Sequence, residues 1–131
     1  YMIRLRLADL FLDTAPYNAG TTASDALWMG LPVLTLLGTT FAGRMAASLL
    51  TAIDMCELIA PTAEQYEAMA IALAKDPAHL SAIARKLAAH RSTTRLFDTR
   101  RFARTIEAAY AAMVERHAAG LSPDHIDVSA G

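Results

Sequence analysis

The sequence predicts an α/β fold, a short parallel sheet with flanking helices, followed by C-terminal helices. Three observations lead there. Apolar runs of strand length, Leu10-Phe11-Leu12 and Pro32-Val33-Leu34-Thr35-Leu36, lie on either side of a helical stretch. Each run is followed by a glycine turn that opens a helix, the order expected of a β-α-β unit. Beyond Pro61 the pattern becomes wholly helical, with start signals at Thr62 and Asp76.

The elements follow in order. Tyr1 to Ala8 reads as the tail of a helix. Asp9 to Asp13 is the first strand, its apolar centre implying cover on both faces. After Pro16 and Gly20 a helix runs from Thr21 or Thr22 to Met29, with Ala26, Leu27 and Trp28 assigned to the core and Gly30 as its left-handed terminator. Pro32 to Leu36 is the second strand, parallel to the first through a right-handed crossover. Gly38-Thr39-Thr40 makes a second strand-to-helix turn, and an alanine-rich helix spans about Phe41 to Ile53. Glu57 to Ala60 is a short third strand, stopped by Pro61.

The remainder is helical. Thr62-x-x-Gln65 reads as a capping box and starts a helix with Tyr66, Met69, Ala70 and Leu73 on one face. Asp76-Pro77 is an N-cap followed by proline at the first helical position, and the next helix buries Leu80, Ile83, Ala84 and Leu87. Arg91 to Thr94 is a polar hinge. A last helix covers about Arg100 to Ala119, with a stripe of Phe102, Ile106, Ala109, Tyr110 and Met113. Gly120 ends it, and Pro123 prevents its return.

Composition narrows the class. The chain has 131 residues, 54% of them apolar, which suits one packed domain or a piece of a larger one. A net charge of −1 gives no footprint for nucleic acid. No apolar stretch approaches the roughly 18 residues of a membrane span, so no membrane partner is expected. The single cysteine, Cys56, excludes an internal disulfide and suits a reducing, cytoplasmic compartment. Tyr1 to Arg6 is too short and too charged for a signal peptide and reads as the middle of a longer protein.

The stretch from Tyr17 to Trp28 is the expected ligand site. A helix start carries unpaired N–H groups and partial positive charge, which attract phosphate. Gly20 lets a ligand approach the backbone, and the hydroxyls of Thr21 and Thr22 stand beside it. In an open α/β sheet, ligands sit beyond the carboxyl ends of the strands, where this loop lies. The plainer alternative is a capped helix, with Thr22-x-x-Asp25 resembling a capping box. Tyr17 reads by default as a packed loop aromatic.

These residues carry a resemblance. Asp13-Thr14, Tyr17-Asn18, Thr21-Thr22-x-x-Asp25-x-Leu27-Trp28-x-Gly30-x-Pro32-Val33-Leu34-Thr35 and Gly38-x-Thr40-x-Ala42-x-Arg44-x-Ala46-Ala47-Ser48 resemble the O-linked N-acetylglucosamine transferase and SPINDLY-type glycosyltransferase family. The likeness continues through Glu57 to Ala60, Leu96 to Thr99, and Ala118 to His125. It implies the C-terminal part of a Rossmann-like donor-binding lobe in a GT-B type, inverting protein O-glycosyltransferase. Residues 1–95 would belong to that lobe, 96–120 to a terminal helix crossing to the other lobe, and 121–131 to a mobile tail.

In that resemblance, Gly20, Thr21 and Thr22 hold the donor diphosphate and Asp25 takes the ribose hydroxyls, as a carboxylate suits a vicinal diol. The donor is a nucleotide-sugar, UDP-N-acetylglucosamine, and the acceptor a protein serine or threonine reached through regions upstream of Tyr1. Those regions would include tetratricopeptide repeats, the catalytic histidine of the other lobe and a phosphate-contacting lysine. No catalytic residue is therefore assigned to this chain, and no cofactor or metal. Many family members carry histidine at the position of Gly20 and glutamate at that of Thr39; the loss of the histidine removes one phosphate donor. Two alternatives stay open: a SPINDLY-like protein O-fucosyltransferase using a GDP-sugar, and a degenerate binding or scaffold module. Arg44 faces either the phosphates or a structural ion pair, and in that resemblance Tyr17 would line the sugar pocket. His79, His90, His117 and His125 show no metal-like clustering, and no Ser–His or Cys–His pair suggests a nucleophile. The terminal stripe is expected to pair two isolated chains as a homodimer.

Overall fold

The computed structural model describes residues 1–128; residues 129–131 of the expected mobile tail lie outside the described residues. A 3-10 helix over Met2–Leu7 leads into β1 (Phe11–Leu12), α1 (Thr21–Met29) and β2 (Val33–Leu36). A 3-10 turn at Ala42–Arg44 precedes α2 (Met45–Ala52), and a second at Cys56–Leu58 precedes β3 (Ile59–Ala60). Then come α3 (Ala63–Lys75), α4 (Pro77–His90) and α5 (Thr99–Ala118). The chain divides into two units, residues 1–96 and Phe97 onward.

In the first unit the strands form a parallel sheet in the order β1-β2-β3, with Phe11 opposite Val33 and Thr35 opposite Ile59. The expected β-α-β unit is present. The strands are shorter than their apolar runs at the entry end: β1 begins after Leu10, and β2 after Pro32, which has no N–H to donate. Both faces of β2 are covered: Val33, Leu34 and Thr35 are fully buried. At the free edge of β1, Leu12 is half exposed, so the expected two-sided cover holds for β2 and not for β1.

The core is built from Ala23, Ala26 and Leu27 of α1, Ala46 and Leu50 of α2, and Leu73, Ile83 and Leu87 of α3 and α4. Small residues on α1 and α2 let those helices sit close to the sheet, while leucines fill the space between. Trp28 corrects the expectation that it belongs to the core; it is 49% exposed. Ala23, Ala26 and Leu27 define one helical face at i, i+3 and i+4, and the next residue points well away from it. Arg91 lies over its ring at 5.6 Å, and donates from Nη1 to the Trp28 carbonyl.

The punctuation reads as the sequence suggests. Gly30 ends α1 with φ of +84°, and the N–H of Leu31 returns to the Ala26 carbonyl at 2.9 Å. Thr62 caps α3 through the N–H of Gln65, and Asp76 caps α4 through that of His79, with Pro77 beside it. The helix expected from Phe41 is tighter at its start. Gly43 donates to Thr40 Oγ1 and accepts from the N–H of Gly38, so regular α-helix begins only at Met45.

In the second unit, Asp98 caps α5 through the N–H of Arg101. Gly120, at φ of +69°, closes it. Residues 121–128 carry no regular structure, and Arg116 holds their first part by donating to the Ser122 carbonyl and pairing with Asp124. No residue of α5 is buried.

Candidate functional site

Between β1 and α1 the chain must cross the carboxyl end of the sheet, and a buried carboxylate shapes that crossing. Asp13, only 3% exposed, accepts the N–H groups of Thr14 and Ala19 on Oδ1, at 2.9 and 2.8 Å. Its Oδ2 accepts the hydroxyl of Thr35 at 2.7 Å. Asn18, 2% exposed, donates to Thr35 Oγ1 and to the Leu36 carbonyl. Two residues of the loop are thus fastened to β2, and the anion is compensated by three charge-assisted bonds. Tyr66 on α3 adds a further tie, its hydroxyl donating to the Asp13 carbonyl at 2.8 Å. Burial, and after it the charge of Asp13, pushes the Tyr66 phenol above its ordinary value.

The loop delivers an open helix start. Gly20 is the N-cap of α1, and no side chain caps it. Its carbonyl accepts the first helical bond, from Ser24, so the N–H groups of Thr21, Thr22 and Ala23 precede the ladder. This corrects the capped-helix alternative. Thr22 lies inside the helix, and Asp25 lies beyond the first turn, which contains no acid. A cleft of about 530 Å³ opens at this end, with Gly20, Thr21 and Thr22 beside Asn18 and with Tyr17 and Phe41 also lining it. Within the described residues, Asn18 Oδ1 is a buried side-chain oxygen with no partner.

The expected site residues do not all share this cleft. Gly20, Thr21 and Thr22 line it; Asp25 does not. Asp25 is half-buried and four residues after Thr21, so both stand on one helical face a turn apart. Arg44 is exposed, lies outside the lining and forms no ion pair among the described residues, so neither expectation for it is met here. Thr39 is exposed as well. Tyr17 is 79% exposed, which removes the packed-aromatic reading.

Glycines set the second side of the cleft. A β-carbon at Gly38 would come within 2.9 Å of the backbone of Gly43, and one at Gly43 within 3.4 Å of the Pro16 carbonyl. The turn after β2 therefore folds tightly on itself and reaches the loop after β1. A β-carbon at Gly20 would meet only the Met45 side chain, nearest at Cγ, 3.3 Å, and that side chain is able to move.

Sequence reasoning placed the helix start but gave no role to Asp13, Asn18, Thr35 or Phe41. Asp13-Thr14 and Tyr17-Asn18 were already among the letters that carry the resemblance. Their contacts span two strands, however, and no periodicity reports such pairs.

A parallel sheet whose carboxyl end faces an uncapped helix start defines the Rossmann-like class of α/β lobe. Within that class the chain belongs to glycosyl transferase family 41, whose sequence profile matches residues 1–106. It is 39% identical over 123 residues to an Arabidopsis thaliana protein named probable UDP-N-acetylglucosamine–peptide N-acetylglucosaminyltransferase SEC. A Caenorhabditis elegans UDP-N-acetylglucosamine–peptide N-acetylglucosaminyltransferase is 36% identical, and a Hordeum vulgare protein with the name SPINDLY 34%. These matches cover 93–94% of this chain but only 11–13% of the relatives. The structure of a lysine-to-methionine mutant of the Thermobaculum terrenum O-GlcNAc transferase superposes with a TM-score of 0.79 at 36% identity, over 86% of this chain and 22% of that one. The fold is accordingly part of a GT-B type glycosyltransferase.

Proposed function

We propose that this chain supplies the diphosphate and ribose contacts of the donor site in a protein O-glycosyltransferase. The enzyme moves N-acetylglucosamine from a uridine diphosphate donor to protein serine or threonine, with inversion. The observation that carries the reading is the uncapped start of α1, which opens with Thr21 and Thr22 onto the cleft at the end of the parallel sheet. Free N–H groups and the helix dipole there favour a diphosphate. The names of the relatives support the donor and the peptide acceptor. Asp25, a turn further along the same face as Thr21, takes the ribose diol.

Acceptor binding and the proton transfers fall to residues outside this chain, so the isolated 131 residues transfer no sugar. Gly20 leaves the phosphates to backbone and threonine donors. Asp25→Ala in the full-length protein tests the reading. Donor affinity should fall by about 1–3 kcal/mol, the cost of losing hydrogen bonds to a charged group. Thermal stability should barely change, because Asp25 caps nothing. Unchanged affinity for UDP and its sugar derivative would refute the ribose role.

A further inference from the structure

We infer that Tyr66 is a positioning residue of the donor site: from α3 it fixes the first peptide of the loop that leads to Gly20, Thr21 and Thr22, and so raises affinity for a nucleoside diphosphate. The inference rests on the donor-site reading above. The N–H of Asp13 still belongs to the sheet, donating to the Leu34 carbonyl at 2.9 Å. Its carbonyl begins the loop and accepts the Tyr66 hydroxyl at 2.8 Å. That carbonyl shares a planar peptide with the N–H of Thr14, which donates to Asp13 Oδ1 at 2.9 Å. In a trans peptide the two groups point in opposite directions, so the plane is held at both edges. A flip of the plane would break both bonds. The same Oδ1 accepts the N–H of Ala19 at 2.8 Å, one residue before the N-cap Gly20. The start and the end of the loop are thus tied to one carboxylate, and Tyr66 holds the backbone that carries it.

The hydroxyl has a firm mount. The N–H of Tyr66 donates to the Thr62 carbonyl at 2.9 Å, in the first turn of α3, where Thr62 is also the cap. Helix α3 packs on β2 and β3 and buries Leu73, so Tyr66 refers the loop to the sheet and not to another loop. The ring is half-buried, and Asp13 lines the cleft. A water could replace the hydroxyl as donor to that carbonyl. A water is not tethered to α3, however, and would leave the peptide free to turn. A loop that samples several orientations binds in proportion to the fraction of time it spends in the competent one. Once the ligand is bound, the loop is ordered with or without the hydroxyl. The effect of Tyr66 therefore falls on binding and not on turnover at saturating donor.

The test uses the full-length protein and Tyr66→Phe, which keeps the ring and removes only the hydroxyl. Equilibrium binding of UDP and of GDP is measured, with donor KM and kcat for the sugar nucleotide of whichever base binds. The dissociation constant of that diphosphate should rise about three- to ten-fold, the effect of one neutral hydrogen bond. The donor KM should rise with it, while kcat stays within about two-fold. In hydrogen exchange, the ligand-free wild type should protect the Ala19 amide, and Tyr66→Phe should release it while the amides of α4 stay protected. Three results would each overturn the positioning role and leave the donor site standing. They are a dissociation constant changed less than about two-fold, a fall in kcat at unchanged KM, or a ligand-free wild type whose Ala19 amide exchanges like an open chain. Wild-type protein that binds neither diphosphate would overturn the donor-site reading and this inference with it.

Discussion

Asp13 is the residue on which the site's geometry most depends. It is an anion beneath a place proposed to hold a diphosphate, so it does not act by attracting the ligand. Its effect is to gather the N–H groups of Thr14 and Ala19 and the hydroxyl of Thr35, which fixes where the chain enters α1. Removing the carboxylate leaves those buried donors unpaired. Asp13→Ala should therefore cost about 3 kcal/mol or more in urea unfolding. Thr35→Val keeps the shape but takes one bond from Asp13 and one from Asn18, and about 1–3 kcal/mol is expected. A loss under about 0.5 kcal/mol for both would show that the network is incidental. Asp13 and Asn18 were visible in the sequence as letters but not as partners. A side chain on one strand meeting another across the sheet is settled only by the parallel register, Leu12 opposite Leu34.

At the scale of elements, local chemistry was the most legible. Thr62, Asp76, Gly30 and Gly120 mark ends in the sequence because capping and left-handed geometry depend on one or two residues. Elements governed by longer contacts were not. The start of α2 is displaced by the Gly38–Gly43 turn, and Trp28 is turned outward by the geometry of a helix whose buried face is already complete. Glu57 and Lys86 illustrate a tie between elements, joining the approach to β3 with α4. Partial burial raises the Glu57 carboxyl, but the Lys86 hydrogen bond, a backbone N–H and the charges of Lys86 and His90 outweigh it and hold the group below its ordinary 4.5. A lowered folded value gives stability that is full above 4.5 and disappears as pH falls through the folded value. Both side chains are more than a third exposed, so screening keeps the effect below about 0.5 kcal/mol. Glu57→Gln should narrow the gap in melting temperature between pH 6 and pH 3 by about 1–3 °C. An unchanged gap would mean that the pair contributes nothing.

The terminal helix carries the element-scale expectation for assembly. Phe102, Tyr110, Met113 and Val114 on α5 are 55–68% exposed, an apolar stripe of the kind that covers itself when it can. Each large side chain brought out of water contributes about 1.5–3 kcal/mol. We expect the isolated chain to self-associate through it, with Phe102→Glu returning the sedimentation profile toward the monomer. A wild-type chain that stays monomeric at high concentration would remove the expectation.

For the whole molecule, family membership and fold agree on a lobe of a family 41 glycosyl transferase. The sequence alone indicated an α/β unit, the loop that bears the site and the family. It could not indicate that Asp25 stands outside the cleft, because that depends on how the loops after β1 and β2 close together. The most direct measurement is the crystal structure of the full-length protein with UDP-N-acetylglucosamine. The diphosphate should lie within hydrogen-bond distance of the N–H groups of Thr21 and Thr22, with the ribose on Asp25. A donor bound elsewhere, with the start of α1 facing only water, would contradict it.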